Sequence, residues 1–188
     1  MTIVRLCRSR YSPKDATGAE RYGGRWNSPG HAVLYASSTL ALACLEVLVH
    51  IRNVGLMPAD YVYCEMEVPE ALISPWDLTG ETALARIESP VLSREFGDRW
   101  AALTERKASL APGRTDRLLR LLHNAPASRK ALMAEIKRVA PVQTVPSVII
   151  PREMNYLISP VHPDFVQLVW RDPQPFHFDP RLIGATAQ

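Results

Sequence analysis

Cysteine is scarce in this chain. Its three residues, Cys7, Cys44 and Cys64, are odd in number and widely spaced, and no Cys-x-x-Cys pair occurs. The sequence therefore indicates neither a zinc site nor a disulfide framework. We expect three reduced thiols in a cytoplasmic protein.

Long hydrophobic runs are also missing. The longest apolar-rich stretch, residues 40–51, contains a glutamate and a histidine. It is too short to span a bilayer. The first residues lack the apolar core that signal peptides carry, so we predict no signal peptide. We expect no association with a membrane.

Charge of one sign is only slightly in excess. The 188 residues include 22 Lys and Arg against 19 Asp and Glu, a net charge of +3, which does not by itself indicate nucleic-acid binding. The positive charge is concentrated between residues 104 and 139, a segment with nine basic and three acidic side chains. This segment is either a docking surface for an acidic partner or nucleic acid, or a solvated helical hairpin.

The pattern of apolar residues predicts an α+β fold in a single domain, 1–188. Strands are predicted at 3–7, 32–35, 61–68, 145–150 and 166–170. Helices are predicted at 39–51, where Ser37 or Ser38 offers an N-cap, and at 96–107, 116–123 and 128–139. Residues 9–24 read as turns, and the tail from residue 173 as irregular structure.

The most informative segment is 21–30, Arg-Tyr-Gly-Gly-Arg-Trp-Asn-Ser-Pro-Gly. Its glycines, its asparagine and its Pro-Gly pair indicate a backbone that passes through tight turns. Arg25 supplies a planar guanidinium that suits phosphate, and Trp26 and Tyr35 supply flat faces for stacking. Glu46 follows on an apolar helix. The group predicts a pocket for a phosphorylated aromatic ligand such as a dinucleotide.

Glu46 has a second interpretation. His50 lies four residues further along the predicted helix, so the two side chains can pair on one face, and Arg52 offers another partner. A metal site would need a third ligand that this spacing does not supply. We therefore predict no metal.

A second set of polar residues lies in the proline-rich stretch 145–165. Ser147 is predicted at the start of a strand, where its hydroxyl can face a pocket, and Asn155 can cap a turn or bind a ligand. A Ser147–His162–Asp164 hydrolase triad is conceivable, but no Gly-x-Ser-x-Gly elbow occurs. We favour a structural role in a turn for His162.

Three motifs together resemble the RES-domain family, the toxins of bacterial RES–Xre toxin–antitoxin systems. They are Gly-Gly-Arg-Trp-Asn-Ser-Pro-Gly at 23–30 with Tyr35, Leu-Glu-Val-Leu-Val-His at 45–50, and the segment from Pro-Ser-Val-Ile-Ile-Pro at 146–151 to Phe165. The resemblance covers about residues 3–103 and 140–171. The basic segment, about 104–139, looks longer than the family's usual link and is predicted to be a helical insertion.

The resemblance implies a fold similar to the ADP-ribosyltransferases of the diphtheria-toxin kind, with mixed sheets and flanking helices. It also implies NAD as substrate without a metal, and an Xre-type antitoxin as partner, with DNA contacted only through that antitoxin. Arg25, Tyr35 and Glu46 are the implied catalytic residues. The implied NAD-binding residues are Arg25, Trp26, Tyr35, Ser147 and Asn155.

Specific roles follow from the same resemblance. Glu46 stabilises the oxocarbenium character that develops on the ribose as the nicotinamide bond breaks. Arg25 holds the pyrophosphate, Tyr35 stacks on the nicotinamide or its ribose, and Ser147 bonds the nicotinamide amide. Family members consume NAD by hydrolysis, by phosphorolysis or by transfer of ADP-ribose to a protein.

Three functions remain open on the sequence. The first is an NAD-consuming toxin that arrests growth, and the second is a mono-ADP-ribosyltransferase that modifies a specific host protein. The third is a non-enzymatic nucleic-acid-binding module that uses the basic segment and binds with strong salt dependence. The sequence also allows a homodimer.

Overall fold

The computed structural model describes residues 1–51, 58–76, 88–110 and 126–183. Within these ranges eight strands form one sheet. Their order is β4-β5-β6-β2-β1-β3-β7, and β8 also pairs with β3. The strands are β1 Thr2–Arg8, β2 Leu34–Ser37, β3 Tyr61–Glu67, β4 Ile73–Ser74, β5 Val142–Pro146, β6 Met154–Ile158, β7 Val169–Trp170 and β8 Gln174–Phe176.

The sheet is mixed. Strands β1 and β3 pair antiparallel from Thr2 opposite Glu67 to Arg8 opposite Tyr61. Strand β2 pairs antiparallel with β6, whereas β4 pairs parallel with β5. The four helices of the described ranges are α1 Thr17–Tyr22, α2 Leu40–Leu48, α3 Pro90–Ser109 and α4 Pro126–Arg138. The predicted α+β class is confirmed.

Successive side chains of a strand point to opposite faces of the sheet, and the buried residues therefore form two cores, one on each face. One face carries aliphatic residues with Tyr156, including Ile3, Leu34 and Ile158. The opposite face carries an aromatic-rich core that includes Trp26, Val145 and Leu157. Neighbouring residues of one strand therefore contribute to different cores.

Side-chain caps set the starts of the two central helices. The Thr39 hydroxyl accepts a hydrogen bond from the Leu42 N–H at 3.1 Å and begins α2, where the sequence had suggested a serine cap at position 37 or 38. Ser89 caps α3 in the same way and is followed by Pro90 at the first helical position. This position suits proline because the N–H it lacks has no partner within a helix. Helix α3 is therefore longer than the predicted 96–107.

Three predicted strands or loops were wrong. The strand predicted at 145–150 lies at Val142–Pro146, and Met154–Ile158, which was not predicted, is a strand that pairs with it. In the strand predicted at 166–170, residues 166 and 167 belong to the 3₁₀ turn Pro163–Gln167, and only Val169–Trp170 form a strand, β7. The tail contains strand β8, so it is not wholly irregular.

Two further differences concern helices and turns. Residues 17–22 form the short helix α1 inside the segment predicted as turns. The helix predicted at 116–123 lies outside the described residues, as does the middle of the basic segment. The two ends of the basic segment belong to α3 and α4. None of the helices in the described ranges is long and apolar enough to cross a membrane.

Candidate active site

The carboxylate of Glu46 is held by two side chains from the far end of the chain. Its Oε1 accepts hydrogen bonds from Ser147 Oγ at 2.8 Å and from Asn155 Nδ2 at 2.5 Å. Helix α2 carries the carboxylate, whereas β5 and β6 position the donors. The structure therefore brings three of the predicted site residues together. The alternative partner His50 is exposed at the end of α2, and Arg52 lies outside the described residues.

Ser147 lies just after β5 and not at the start of a strand as predicted. Pro146 ends the strand because it has no N–H to continue the ladder. The Ser147 hydroxyl oxygen then accepts hydrogen bonds from the N–H groups of Ile149 at 3.1 Å and Ile150 at 3.0 Å. These two bonds form a tight turn and leave the hydroxyl proton to donate to Glu46.

Asn155 is the second residue of β6 and does not cap a turn. Its side chain is buried, and its Oδ1 accepts a hydrogen bond from Ser37 Oγ at 2.8 Å. Ser37 is directly opposite Asn155 in the β2–β6 register. A chain of hydrogen bonds thus runs from Ser37 through Asn155 to Glu46.

The Gly-Gly-Arg-Trp-Asn loop is fixed by its own backbone and by Asn27. Gly23 has a positive φ of 73°, a conformation that favours glycine. The Gly24 N–H donates to the Asn27 carbonyl at 2.8 Å. The buried Asn27 amide nitrogen donates to three backbone carbonyls, those of Ala19, Ser28 and His31. Arg25 is thus carried by a tightly held loop.

Tyr35 connects this loop to the sheet. Its hydroxyl donates to Asn27 Oδ1 at 2.6 Å and accepts from the Trp26 N–H at 3.2 Å. A Cβ at Gly24 would lie 2.5 Å from that hydroxyl oxygen, so only glycine allows the contact. Burial raises the pKa of Tyr35 above its usual range, and the phenol therefore stays neutral.

Trp26 lies in the aromatic core. Its indole is 2% exposed and packs edge-on against Trp76 and Phe96, with ring centroids 5.4 Å and 6.1 Å away. Its faces are therefore covered in this structure, and we assign it a packing role. That Trp26 also contacts a ligand stays a prediction.

Helix α3 packs directly against the loop. A Cβ at Gly97 would lie 1.6 Å from the Trp26 carbonyl oxygen, so the helix backbone touches the loop backbone there. The neighbouring Asp98 accepts two hydrogen bonds from Ser28, both 2.7 Å long. No role was predicted for these residues of α3, since nothing local marks a helix glycine as a contact point.

Two residues of β2 link the loop to the carboxylate group. Tyr35 and Ser37 are two positions apart and therefore point to the same face of the sheet. Tyr35 contacts the loop that carries Arg25, and Ser37 begins the chain of bonds to Glu46. Because strand residues rise about 3.3 Å each, the two contacts start roughly 7 Å apart along the strand.

His162 has the structural role that we favoured. It is buried, its Nε2 lies 3.0 Å from the Val139 carbonyl oxygen, and its Nδ1 accepts from the Asp164 N–H at 3.0 Å. Ser147 bonds Glu46, so Ser147 and His162 belong to separate hydrogen-bond networks and no hydrolase triad forms. Burial lowers the pKa of His162, which is therefore neutral at physiological pH.

Other potential sites do not involve the predicted residues. A cavity of about 650 Å³ lies between α3, α4 and β5, and none of the predicted site residues lines it. Within the described ranges no cluster of three or more His, Cys, Asp or Glu side chains is placed to hold a metal ion.

Comparisons with known proteins identify the family of this chain. The RES domain matches residues 2–118. A protein of Sphingobium sp. (strain YBL2) named Prs ADP-ribosylating toxin is 33% identical over 170 residues, 88% of this chain and 84% of the relative. A protein named Toxin Res from Yersinia enterocolitica is 31% identical, over 97% of this chain and 99% of that protein.

A solved structure supports the fold. A chain of the M. tuberculosis MbcT–MbcA toxin–antitoxin complex superposes with a TM-score of 0.50 at 16% sequence identity. The superposition covers 97% of this chain and 86% of that one. With the domain match and the relatives of similar length, the chain belongs to the RES-domain family of toxins.

Proposed function

We propose that this toxin cleaves the bond between nicotinamide and ribose in NAD and passes the ADP-ribosyl group to water or phosphate. The observation that carries the proposal is the arrangement at Glu46, where two donors fix one oxygen of a carboxylate on an otherwise apolar helix. A half-buried carboxylate in such a place needs a reason, because leaving water costs free energy.

The fixed carboxylate suits the chemistry of this bond. Cleavage of a glycosidic bond develops oxocarbenium character on the sugar. A carboxylate that is already oriented stabilises this positive charge without reorganisation during the reaction. Both of these hydrogen bonds fall on Oε1, and we assign the other oxygen, Oε2, to the ribose.

The loop supplies the binding part of the proposed site. Arg25 follows Gly24 and precedes the anchored Trp26, so its backbone position is set on both sides. A guanidinium on such a loop can hold the pyrophosphate of NAD through paired hydrogen bonds. Tyr35 supports the loop through its hydroxyl. An edge or face of its ring then contacts the nicotinamide end of NAD.

Transfer of ADP-ribose to a protein is the second candidate function. The supporting observation is the 33% identity to the relative whose name describes ADP-ribosylation of Prs. The first step, loss of nicotinamide, is the same in both candidates. They differ only in the group that attacks the ribose, so Glu46 serves either.

The proposal includes an antitoxin as the protein partner. Its support is the superposition on a chain from a toxin–antitoxin complex, together with the relatives named as Res toxins. An Xre-type protein encoded beside this chain is the expected partner. Copurification of the two proteins from one expression culture, and loss of growth arrest on coexpression, would test it.

The enzymatic proposal is tested with purified protein and NAD, by measuring nicotinamide release with and without phosphate. Glu46→Gln should lower turnover by roughly 100- to 1,000-fold, the usual loss for one electrostatic group at a transition state. Glu70→Gln is the matched control, since Glu70 is exposed on a 3₁₀ turn away from the site. A folded Glu46→Gln protein with near-normal turnover would overturn the assignment.

The acceptor is identified in the same reactions. NAD labelled on its adenine half gives free ADP-ribose by hydrolysis, ADP-ribose phosphate by phosphorolysis, and labelled protein by transfer. Adding Prs protein, the target named for the Sphingobium relative, makes the third outcome visible. Label on protein with little free ADP-ribose would favour the transferase over the NAD-consuming toxin.

A further inference from the structure

Ser37 is a buried hydroxyl to which the proposed reaction gives no direct role. It is 4% exposed and closes β2, two residues after Tyr35. Its Oγ lies 2.8 Å from Asn155 Oδ1, across the β2–β6 pair. Both residues belong to interior strands of the sheet, so their relative position is set by backbone hydrogen bonds on both sides.

The orientation of the Asn155 amide is decided by its two neighbours. The Glu46 carboxylate can only accept, so the amide must turn its NH₂ group towards it. The carbonyl oxygen then faces Ser37, whose hydroxyl donates to it. If the amide were reversed, an oxygen would face the carboxylate at 2.5 Å and repel it.

We propose that Ser37 is a positioning residue for the reaction, acting through Asn155 on Glu46; the inference rests on the proposed function of Glu46. The hydroxyl holds the amide in the one orientation that donates to the carboxylate. Asn155 thereby holds Glu46 Oε1 from the β6 side, while Ser147 holds the same oxygen from the end of β5. Ser37 itself does not touch the substrate.

The start of α2 is tied to the same side of the sheet. Thr39 caps the helix and its hydroxyl also reaches Glu153 Oε2 at 3.3 Å, two residues before Asn155. The Ser38 N–H donates to the Met154 carbonyl at 3.0 Å. The junction between β2 and α2 is therefore already held by the backbone, which leaves the Ser37 hydroxyl to orient the amide.

Kinetics of Ser37→Ala are the first test. Loss of this one hydrogen bond should lower kcat roughly fivefold, which corresponds to about 1 kcal/mol of barrier, while the KM for NAD stays within about twofold. Ser37→Thr keeps a hydroxyl on a side chain that suits a strand and should restore most of the rate.

Ser159→Ala is the matched control. Ser159 is also buried, and its hydroxyl donates to Thr104 Oγ1 at 2.8 Å, the same length as the Ser37 bond. It follows the last residue of β6 and is not part of the chain of hydrogen bonds from Ser37 through Asn155 to Glu46. It should lose a similar amount of stability and keep its kcat. Equal losses of kcat in Ser37→Ala and Ser159→Ala would mean that Ser37 is merely structural.

A double-mutant cycle with Glu46→Gln needs no turnover. A glutamine amide can accept or donate, so it tolerates either orientation of Asn155, whereas the carboxylate tolerates one. Ser37→Ala should therefore lower Tm more with Glu46 present than with Gln at that position. Equal shifts in both backgrounds would overturn the positioning role. If the parent chain releases no nicotinamide, the proposed function fails, and this cycle alone decides whether Ser37 acts through the carboxylate.

Discussion

The contact between α3 and the Arg-Trp loop predicts a large effect of one methyl group. In Gly97→Ala the new Cβ would lie 1.6 Å from the Trp26 carbonyl oxygen and 2.7 Å from its carbonyl carbon. Van der Waals contact requires the two to separate by roughly 2 Å more. Both sides of the contact are backbone, so no side chain can rotate away, and the helix or the loop has to move.

The expected loss follows from two opposing effects. Overpacking of this kind costs about 3 kcal/mol, the upper end of the usual range. Alanine regains about 1 kcal/mol over glycine in a helix interior. The net loss of about 2 kcal/mol should lower Tm by roughly 4–8 °C for a chain of this size.

Thermal unfolding followed by circular dichroism measures this shift. Gly18→Ala is the control, since Gly18 is also helical and a Cβ there would have no atom within 4 Å. It should leave Tm unchanged or raise it slightly. If Gly97→Ala unfolds at the same temperature as Gly18→Ala, the close approach of α3 to the loop is refuted. Because Arg25 precedes Trp26, NAD binding by the folded Gly97→Ala protein should also weaken.

Two further predictions concern hydrogen bonds around the site and the core. Tyr35→Phe leaves the oxygen of Asn27 and the N–H of Trp26 without their phenol partner, so the free energy of unfolding should fall by about 1–3 kcal/mol. The KM for NAD should rise more than kcat falls, and an unchanged Tm in thermal denaturation would contradict the prediction. Burial lowers the pKa of His162 below the unfolded value of about 6.5, so the unfolded chain binds more protons and stability should fall as pH drops below that value. Between about pH 7.5 and about pH 5.5, the Tm of His162→Gln should decline less than that of the parent chain. An equal decline in both would mean that other groups cause the pH dependence.

The parts of the fold that could be predicted are those with a local signal. The alternating pattern of Tyr61–Glu67 and the apolar run of α2 identified both elements. Strand β6 was missed because Met154–Ile158 lies in a proline-rich stretch and includes a buried asparagine, which weakens any periodicity. Its pairing with β2 crosses more than a hundred residues, and no local pattern reports such a contact.

In the candidate site, too, features with a local signal could be predicted and long-range contacts could not. The association of Glu46 with Ser147 was suggested only by resemblance to a family, since 101 residues separate them. Asn27 was visible as a turn residue, but its three backbone acceptors depend on how the loop closes. Ser37 gave no signal beyond a possible helix cap, because its role depends on which residue faces it across the sheet.

Strand β2 explains how a short element can serve two parts of one site. The Arg5 guanidinium donates to the Tyr35 carbonyl at 2.9 Å and to the Asp15 carbonyl at 3.2 Å, and thereby ties the strand to the segment before α1. The Tyr35 side chain then holds the loop that carries Arg25, and Ser37 orients the donor to Glu46. Substitutions at Tyr35 should therefore act mainly on binding and those at Ser37 mainly on the chemical step. Because β2 lies between β1 and β6 in the sheet, neither contact can shift without disturbing the strand pairing on both sides.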